Sequence, residues 1–157
     1  MPTPITDIEQ INTALFSILW NISGMQALVG ENPETNQPQV YFNASPVGAP
    51  MPLCIFRFMG GAPILGNGCK KIFSKMVYNI QLVTDDTSLA GILPVYTEME
   101  QVLQFDQTVS NSTFAGMHIE SYLSHSREDN GKVIQYLGYQ ISAMVYNNST
   151  QFLQLAE

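Results

Sequence analysis

Two histidines are the only side chains of this sequence that titrate near neutral pH, which makes them the first candidates for acid–base chemistry or metal binding. His118 and His125 are seven positions apart, which predicts opposite faces of one strand and no shared metal ion. His118 and Glu120 share a face and can form a hydrogen-bonded pair. Because no third ligand or nucleophile stands at a recognised spacing, we interpret the pair as polar surface.

A glycine-rich segment, residues 59–70, invites comparison with a phosphate-binding loop. Gly61 and Gly66 have the spacing of that motif, but Asn67 and Gly68 occupy the places of its lysine and its serine or threonine. A strand is predicted to follow, whereas phosphate binding needs a helix N-terminus. We therefore expect no nucleotide site and no cofactor.

The cysteines and the paired acids offer no catalytic arrangement either. Cys54 and Cys69 match neither a C-x-x-C redox pair nor a zinc ligand set, so we expect two reduced, partly buried thiols. Asp85 and its neighbour Asp86 suit a helix cap. Glu128-Asp129 is either a solvated turn or a charged contact with a partner. The sequence thus predicts no catalytic residue and no metal ligand.

Composition narrows the class of protein. A chain of 157 residues fits one domain, 1–157, and only 12% of it is charged, against about 25% in ordinary globular domains. Such a neutral surface suits packing against other proteins. The net charge is −7, and the basic residues are Arg57, Lys70, Lys71, Lys75, Arg127 and Lys132. They are too few to neutralise a run of phosphates, so specific binding of nucleic acid is not expected.

The beginning of the chain does not look like a targeting segment. The first basic residue is Arg57, and no run of about 18 residues lacks polar interruption. We expect a soluble protein that is intracellular when made and does not enter a membrane.

The N-terminal region predicts a helix. Thr6 and Glu9 match a capping box, and Gly24 stands where a C-terminal cap is expected. Between them lies one apolar stripe, formed by Ile8, Ile11, Leu15, Ile18, Leu19 and Ile22. Residues 25–30 can add a further turn of helix.

Strands are predicted next, separated by irregular segments. Apolar runs indicate strands at 40–42 and 53–58. The prolines of 43–52 forbid regular hydrogen bonding, and the glycines of 59–70 predict a second irregular segment. Alternation of apolar and polar residues over 71–84 predicts a long strand, the clearest one in the sequence.

The second half predicts a helix and a hairpin. Residues 85–88 can cap a second helix, in which Pro94 either produces a kink or marks the first helical position. After a polar connection at 108–116, a strand is predicted at 118–125. Asn130-Gly131 then indicates a hairpin, because both turn positions need a positive φ, and it leads into the strand 132–146.

Together these elements predict an α+β fold, a mainly antiparallel β-sheet with two α-helices packed on one face. The domain is expected to end in an extended C-terminal tail, residues 147–157. Its Phe152, Leu153 and Leu155 are too few to pack alone and could dock on a neighbouring subunit.

This order of elements resembles the tail-terminator (tail-completion) family of long-tailed bacteriophages. The resemblance rests on class-level patterns that cover most of the chain. They are the N-terminal helix with the apolar turn 25–30, the proline-rich approach 49–52 into 53–58, the strand 76–83 running through 84–88 into a helix that ends at 99–103, and the final long strand with 136–145.

The resemblance implies a non-enzymatic virion protein that forms a ring, expected to have six copies, on the last ring of the tail tube. There it would stop tube polymerisation and join the tail to the head-side connector or neck protein. Its partners would be itself, the tail-tube protein and the connector, and DNA would pass through the ring without specific binding. The site would be the head-proximal end of the tail, with assembly in the host cytoplasm.

Contact segments are expected at 43–52, 59–71, 127–132 and the tail, since a closed ring needs two different patches on each subunit. The candidate contact residues are Arg57, Lys70, Lys71, Lys75, Arg127, Glu128, Asp129, Lys132, Phe152, Leu153 and Leu155. A net negative charge also suits a channel through which DNA slides without sticking.

Two other classes of function stay open. A neck or head-completion protein, or a tail-tube subunit, uses a similar small sheet-and-helix domain. A small enzyme or ligand-binding domain would need convergent polar groups in a pocket.

Overall fold

The computed structural model describes residues 8–65, 71–104 and 114–146, with backbone alone at 71–73, 115 and 146. Its elements are α1 (Ile8–Trp20), α2 (Met25–Val29), β1 (Val40–Phe42), β2 (Leu53–Leu65), β3 (Lys71–Thr84), α3 (Leu93–Val102), β4 (Phe114–Asp129) and β5 (Lys132–Tyr146). The predicted α+β class is confirmed. The described part has three helices instead of two, because the turn expected at 25–30 forms the short helix α2.

One five-stranded sheet carries the fold, in the order β1-β2-β3-β5-β4. β1 runs parallel to β2, and the other three pairs are antiparallel. β1 has three residues, so the long edge of the sheet is β4, which pairs with β5 alone.

The helices pack on one face of this sheet. Alternate residues of β3 and β5, such as Tyr78 and Tyr139, point into a common core with the apolar stripe of α1. Ile11, Leu15 and Leu19 of that stripe are buried as predicted, whereas Ile8 is 43% exposed.

We call the opposite face of the sheet the open face. At one end of it, Leu53, Ile55, Val83 and Ile134 form a second, smaller core that packs against Tyr41, Ala49 and Tyr136. The proline-rich segment 43–52 thus covers this end through Ala49. Over the rest of the open face no helix or strand of the described part is packed, and Gln140 Nε2 donates across it to Asn79 Oδ1 at 3.1 Å.

The prediction of an irregular segment at 59–70 is wrong for the first half of that segment, since β2 continues to Leu65. β3 supplies hydrogen-bonding partners along this stretch, with Gly60 opposite Val77 and Gly61 opposite Met76. A bulge between Phe58 and Gly60 places Gly60 at φ 133°, a conformation that glycine adopts at little cost. Pairing therefore outweighs the low strand propensity of the glycines. Residues 66–70 lie outside the described part.

The second helix starts later than predicted. Residues 85–92 form turns, and Asp86 Oδ1 accepts hydrogen bonds from the Ser88 amide at 3.0 Å and its hydroxyl at 2.8 Å. Asp86 therefore caps a turn, and α3 begins at Leu93 without a side-chain cap. Pro94 lies in the first turn of α3, where its missing N–H costs nothing, so it marks the start of the helix.

The predicted hairpin forms at Asn130 and Gly131, whose φ values are 51° and 80°. Both strands that it joins are long, and β4 extends well beyond the predicted 118–125. Residues 114–116 of the expected polar connection belong to β4, while 108–113, like Thr6 of the capping box, lie outside the described part. Gly24, expected to cap α1, has φ 86° and stands just before α2.

Candidate assembly surfaces

The predicted pair of His118 and Glu120 is confirmed. His118 Nε2 lies 2.8 Å from Glu120 Oε1, and the two side chains are 58% and 38% exposed. A pair this exposed stabilises a fold by little, because solvent screens it. In the described part of the chain, no group of three His, Cys, Asp or Glu side chains could hold a metal ion.

The expectation that His118 and His125 lie on opposite faces is wrong. His118 pairs with Ser142 and His125 with Tyr136, which are both even-numbered residues of β5 and so share the open face. A bulge between Ile119 and Ser121 adds one residue to β4 and shifts its alternation. The two imidazoles remain about 20 Å apart along the strand, too far for a common ligand.

The cysteine that the structure describes is inaccessible. Cys54 lies fully buried in β2, and burial raises the pKa of its thiol to about 12. Expected to be partly buried, it is wholly enclosed by the core. Cys69 lies outside the described residues.

The tip of the β4–β5 hairpin projects beyond the rest of the sheet. β3 ends at Thr84, opposite Gln135, so the last pairs of the hairpin have no third strand beside them. The four charged side chains predicted to make contacts here, Arg127, Glu128, Asp129 and Lys132, are all exposed. The structure therefore brings these four together on one protruding tip.

The base of this tip is held by ring contacts on the open face. His125 and Tyr136 stack with centroids 4.3 Å apart and planes inclined by 5°, and Arg127 Cζ lies 5.8 Å from the Tyr136 ring. Stacked pairs of this kind contribute about 0.5–1.5 kcal/mol beyond their burial. They link β4 to β5 at the base of the tip.

The other predicted basic contacts lie on β2 and β3. Arg57 and Lys75 are both exposed on the open face, and Arg57 Nε donates to the Asn43 carbonyl at 3.0 Å. Of Lys71 only the backbone is described. Lys70 and the tail residues Phe152, Leu153 and Leu155 lie outside the described part and stay predictions.

Sequence reasoning missed a tyrosine cluster beside α3. Tyr96 and Tyr139 stack at 4.5 Å, the Tyr139 hydroxyl donates to the Tyr96 carbonyl at 2.7 Å, and Tyr122 meets Tyr139 edge-on at 5.7 Å. Tyr122 also donates to Glu100 Oε1 at 3.0 Å and is 66% exposed. The bulge hid this cluster, because simple alternation from His118 places Tyr122 on the open face, whereas the extra residue turns it to the helix side.

The fold of this chain is similar to that of proteins of known structure. No protein-family model matches the chain, and no curated protein sequence matches it. A chain from the virion of a native gene transfer agent particle superimposes with a TM-score of 0.59 at 16% identity, covering 87% of this chain and 94% of that one. The likeness is one of fold. A second solved structure has a TM-score of 0.51 at 9% identity and covers 88% and 96% of the two chains.

In the described part no helix is long and apolar enough to cross a membrane.

Proposed function

We propose that this chain is a structural protein of a phage or phage-like virion, and within it a tail terminator. The observation that carries the proposal is the shared fold with a chain of a gene transfer agent virion over 87% of this chain. The tail-terminator pattern of helices and strands in the sequence supports the finer assignment. The protein would act by binding other proteins and not by catalysis.

The distribution of surfaces supports a ring. A closed ring of identical subunits needs two different patches on each copy, and this chain exposes unlike features on its two sides. The open face carries Arg57 and Lys75, whereas the other side carries α3 and Tyr122. Six copies are the number that the family resemblance implies.

The projecting hairpin tip supports contact with a neighbouring ring. The tip extends beyond the end of β3, and its four charged side chains are exposed. They are therefore accessible to the tail-tube protein or to the head-side connector. In this proposal DNA passes through the ring unbound, which the net charge of −7 favours. The protein would lie at the head-proximal end of the tail after assembly in the host cytoplasm.

The test is electron microscopy of the purified protein, alone and added to growing tubes of the tail-tube protein of the same virion. We expect closed sixfold rings, either free or seated on one end of each tube, and shorter tubes as the concentration of this chain rises. Long tubes made by this chain alone would assign it to the tail-tube class. Failure to form rings and to bind tube ends would overturn the proposal.

A thermal-shift screen against divalent metals and nucleotides tests the enzyme alternative. A ligand that binds only the folded state must raise the melting temperature. A shift of several degrees with any of these ligands would contradict a purely structural role.

A further inference from the structure

The basic side chains that the structure describes lie on the open face of the sheet. Arg57 and Lys75 lie on the open face, as strand pairing with Asn79 and Ala62 shows. Arg127 shares that face through its pairing with Ile134. The helix side has no basic residue in any described helix, and α3 carries Glu98 and Glu100.

The position of the two acids within α3 is unfavourable for the isolated helix. Glu98 and Glu100 belong to the C-terminal half of α3, whose last turn has no basic residue. The partial negative charge of a helix C-terminus repels carboxylates, and because this effect falls off within the last turn it acts mainly on Glu100. A cation supplied from outside the subunit would remove this repulsion.

The basic side chains that the structure describes likewise have no charged partner among the described residues. In the described part, the one contact between oppositely charged side chains within 4.0 Å is the pair His118–Glu120. Arg57 uses Nε for the Asn43 carbonyl, which leaves the rest of its guanidinium available, and Lys75 is exposed. Both sides therefore present unneutralised charge of opposite sign.

The two charged patches lie diagonally across the subunit. Arg57 and Lys75 are on β2 and β3, while α3 packs over β5 and reaches β4 through Glu100 and Tyr122. β2 and β4 are separated by three strand spacings in the sheet, about 14 Å. Patches on opposite sides of the sheet suit a lateral, head-to-tail contact between copies.

We propose that the patch of Arg57 and Lys75 on one copy docks against α3 of the next copy, around Glu98, Glu100 and Tyr122. The occupant of the open face is thus a second copy of this chain. Tyr122, with two thirds of its surface exposed, is the aromatic anchor of the contact, since interfaces concentrate their binding energy in such side chains. The inference rests on the proposed ring and names the surfaces that close it.

Two charge reversals and their mixture test this contact. Lys75→Glu places two acids opposite each other at every interface, and Glu98→Lys places two bases there, so each variant alone should weaken the contact by about tenfold or more. An equimolar mixture should recover rings, because copies that alternate around an even-membered ring place an acid opposite a base at every interface. Ring content is measured by light scattering after size-exclusion chromatography and by electron microscopy.

A matched control separates this contact from general charge effects. Glu34→Lys in an exposed loop makes the same charge change as Glu98→Lys, but outside the proposed patches and contact segments, and should leave ring content unchanged. Circular dichroism checks that every variant is folded.

The outcomes distinguish this inference from the function on which it rests. Rings formed by the wild type and equally by both single variants would overturn the docking surfaces and leave the terminator proposal intact. Two weakened variants whose mixture does not recover would also overturn it. A wild type that forms no ring, even on tube ends, would contradict the proposed function itself.

Discussion

Tyr78 of β3 donates a hydrogen bond of 2.7 Å to Asn12 Oδ1 of α1, across 66 residues of sequence. The tyrosine ring is fully buried in the main core, between the rings of Phe56 and Phe58. This contact therefore ties α1 to the sheet by a hydrogen bond, in addition to the apolar packing of its buried stripe.

Removing this bond should cost stability without unfolding the protein. Tyr78→Phe deletes the hydroxyl and should lower the free energy of unfolding by about 1 kcal/mol, the usual net value of one such bond. Tyr136→Phe is the matched control, because no hydrogen bond of the Tyr136 hydroxyl occurs among the described residues. Urea denaturation followed by circular dichroism measures both; equal losses would contradict the role of the bond.

Stability should also fall at alkaline pH through Tyr78. Burial raises the pKa of its hydroxyl from 10.0 to about 12. Below pH 10 the hydroxyl is protonated in both states and the contribution is fully present; as pH rises toward 12 the unfolded state releases its proton first, so stability is lost. Denaturation at pH 8 and pH 11 should show a steeper decline for the wild type than for Tyr78→Phe, and identical declines would exclude this cause.

Cys54 should be chemically inert while the protein is folded. Its thiol is fully buried and its pKa is raised to about 12, so almost no thiolate exists at neutral pH. In a Cys69→Ser background, which leaves Cys54 as the one thiol, reaction with a disulfide reagent should be slow in buffer and fast in denaturant. Rapid reaction of the native protein would show that β2 opens readily.

The hairpin turn depends on glycine at one position. Gly131 has φ 80°, so Gly131→Ala places a Cβ in a strained conformation and should lower the free energy of unfolding by about 1–2 kcal/mol. Gly91→Ala is the control: a Cβ there meets nothing within 4 Å, and no positive φ is involved. Thermal melting of the two variants should differ by several degrees, and coincident melting curves would refute the strain.

Two strands were predictable to the residue. β3 was predicted from its alternation and β5 from the long run after the Asn130-Gly131 turn, and each is paired on both sides over most of its length. The Asn130-Gly131 turn fixes the register between β5 and β4 for the same local reason.

Features that depend on a neighbouring element were not predictable. The extension of β2 through Gly60 and Gly61 needs β3 beside it, and nothing local signals that partner. The need for glycine at position 138 also depends on a neighbouring strand. A Cβ on Gly138 would overlap the Ile80 carbonyl of β3 and lie 2.6 Å from Gln81 Cα. The start of α3 was misplaced because Asp86 and Ser88 form a capped turn whose residues also suit a helix.

The candidate contact residues also differ in whether they depend on local sequence or on a distant segment. The hairpin tip follows directly from a local turn, so its four exposed charges were found from the sequence. Tyr122 and Glu100 come from distant segments and meet only in the folded chain, so their pairing was not foreseen.

The extra residue of the bulge near Glu120 determines which face of the sheet each residue of the edge strand β4 occupies. Residues before and after it keep the period of two, but they are out of phase with each other. Deleting this residue would exchange inside and outside for one half of β4, sending either Met117 or Tyr122 to the wrong side. The pattern that this edge shows to a neighbouring molecule is therefore encoded in the length of the strand, and frame-preserving deletions there are far more disruptive than substitutions.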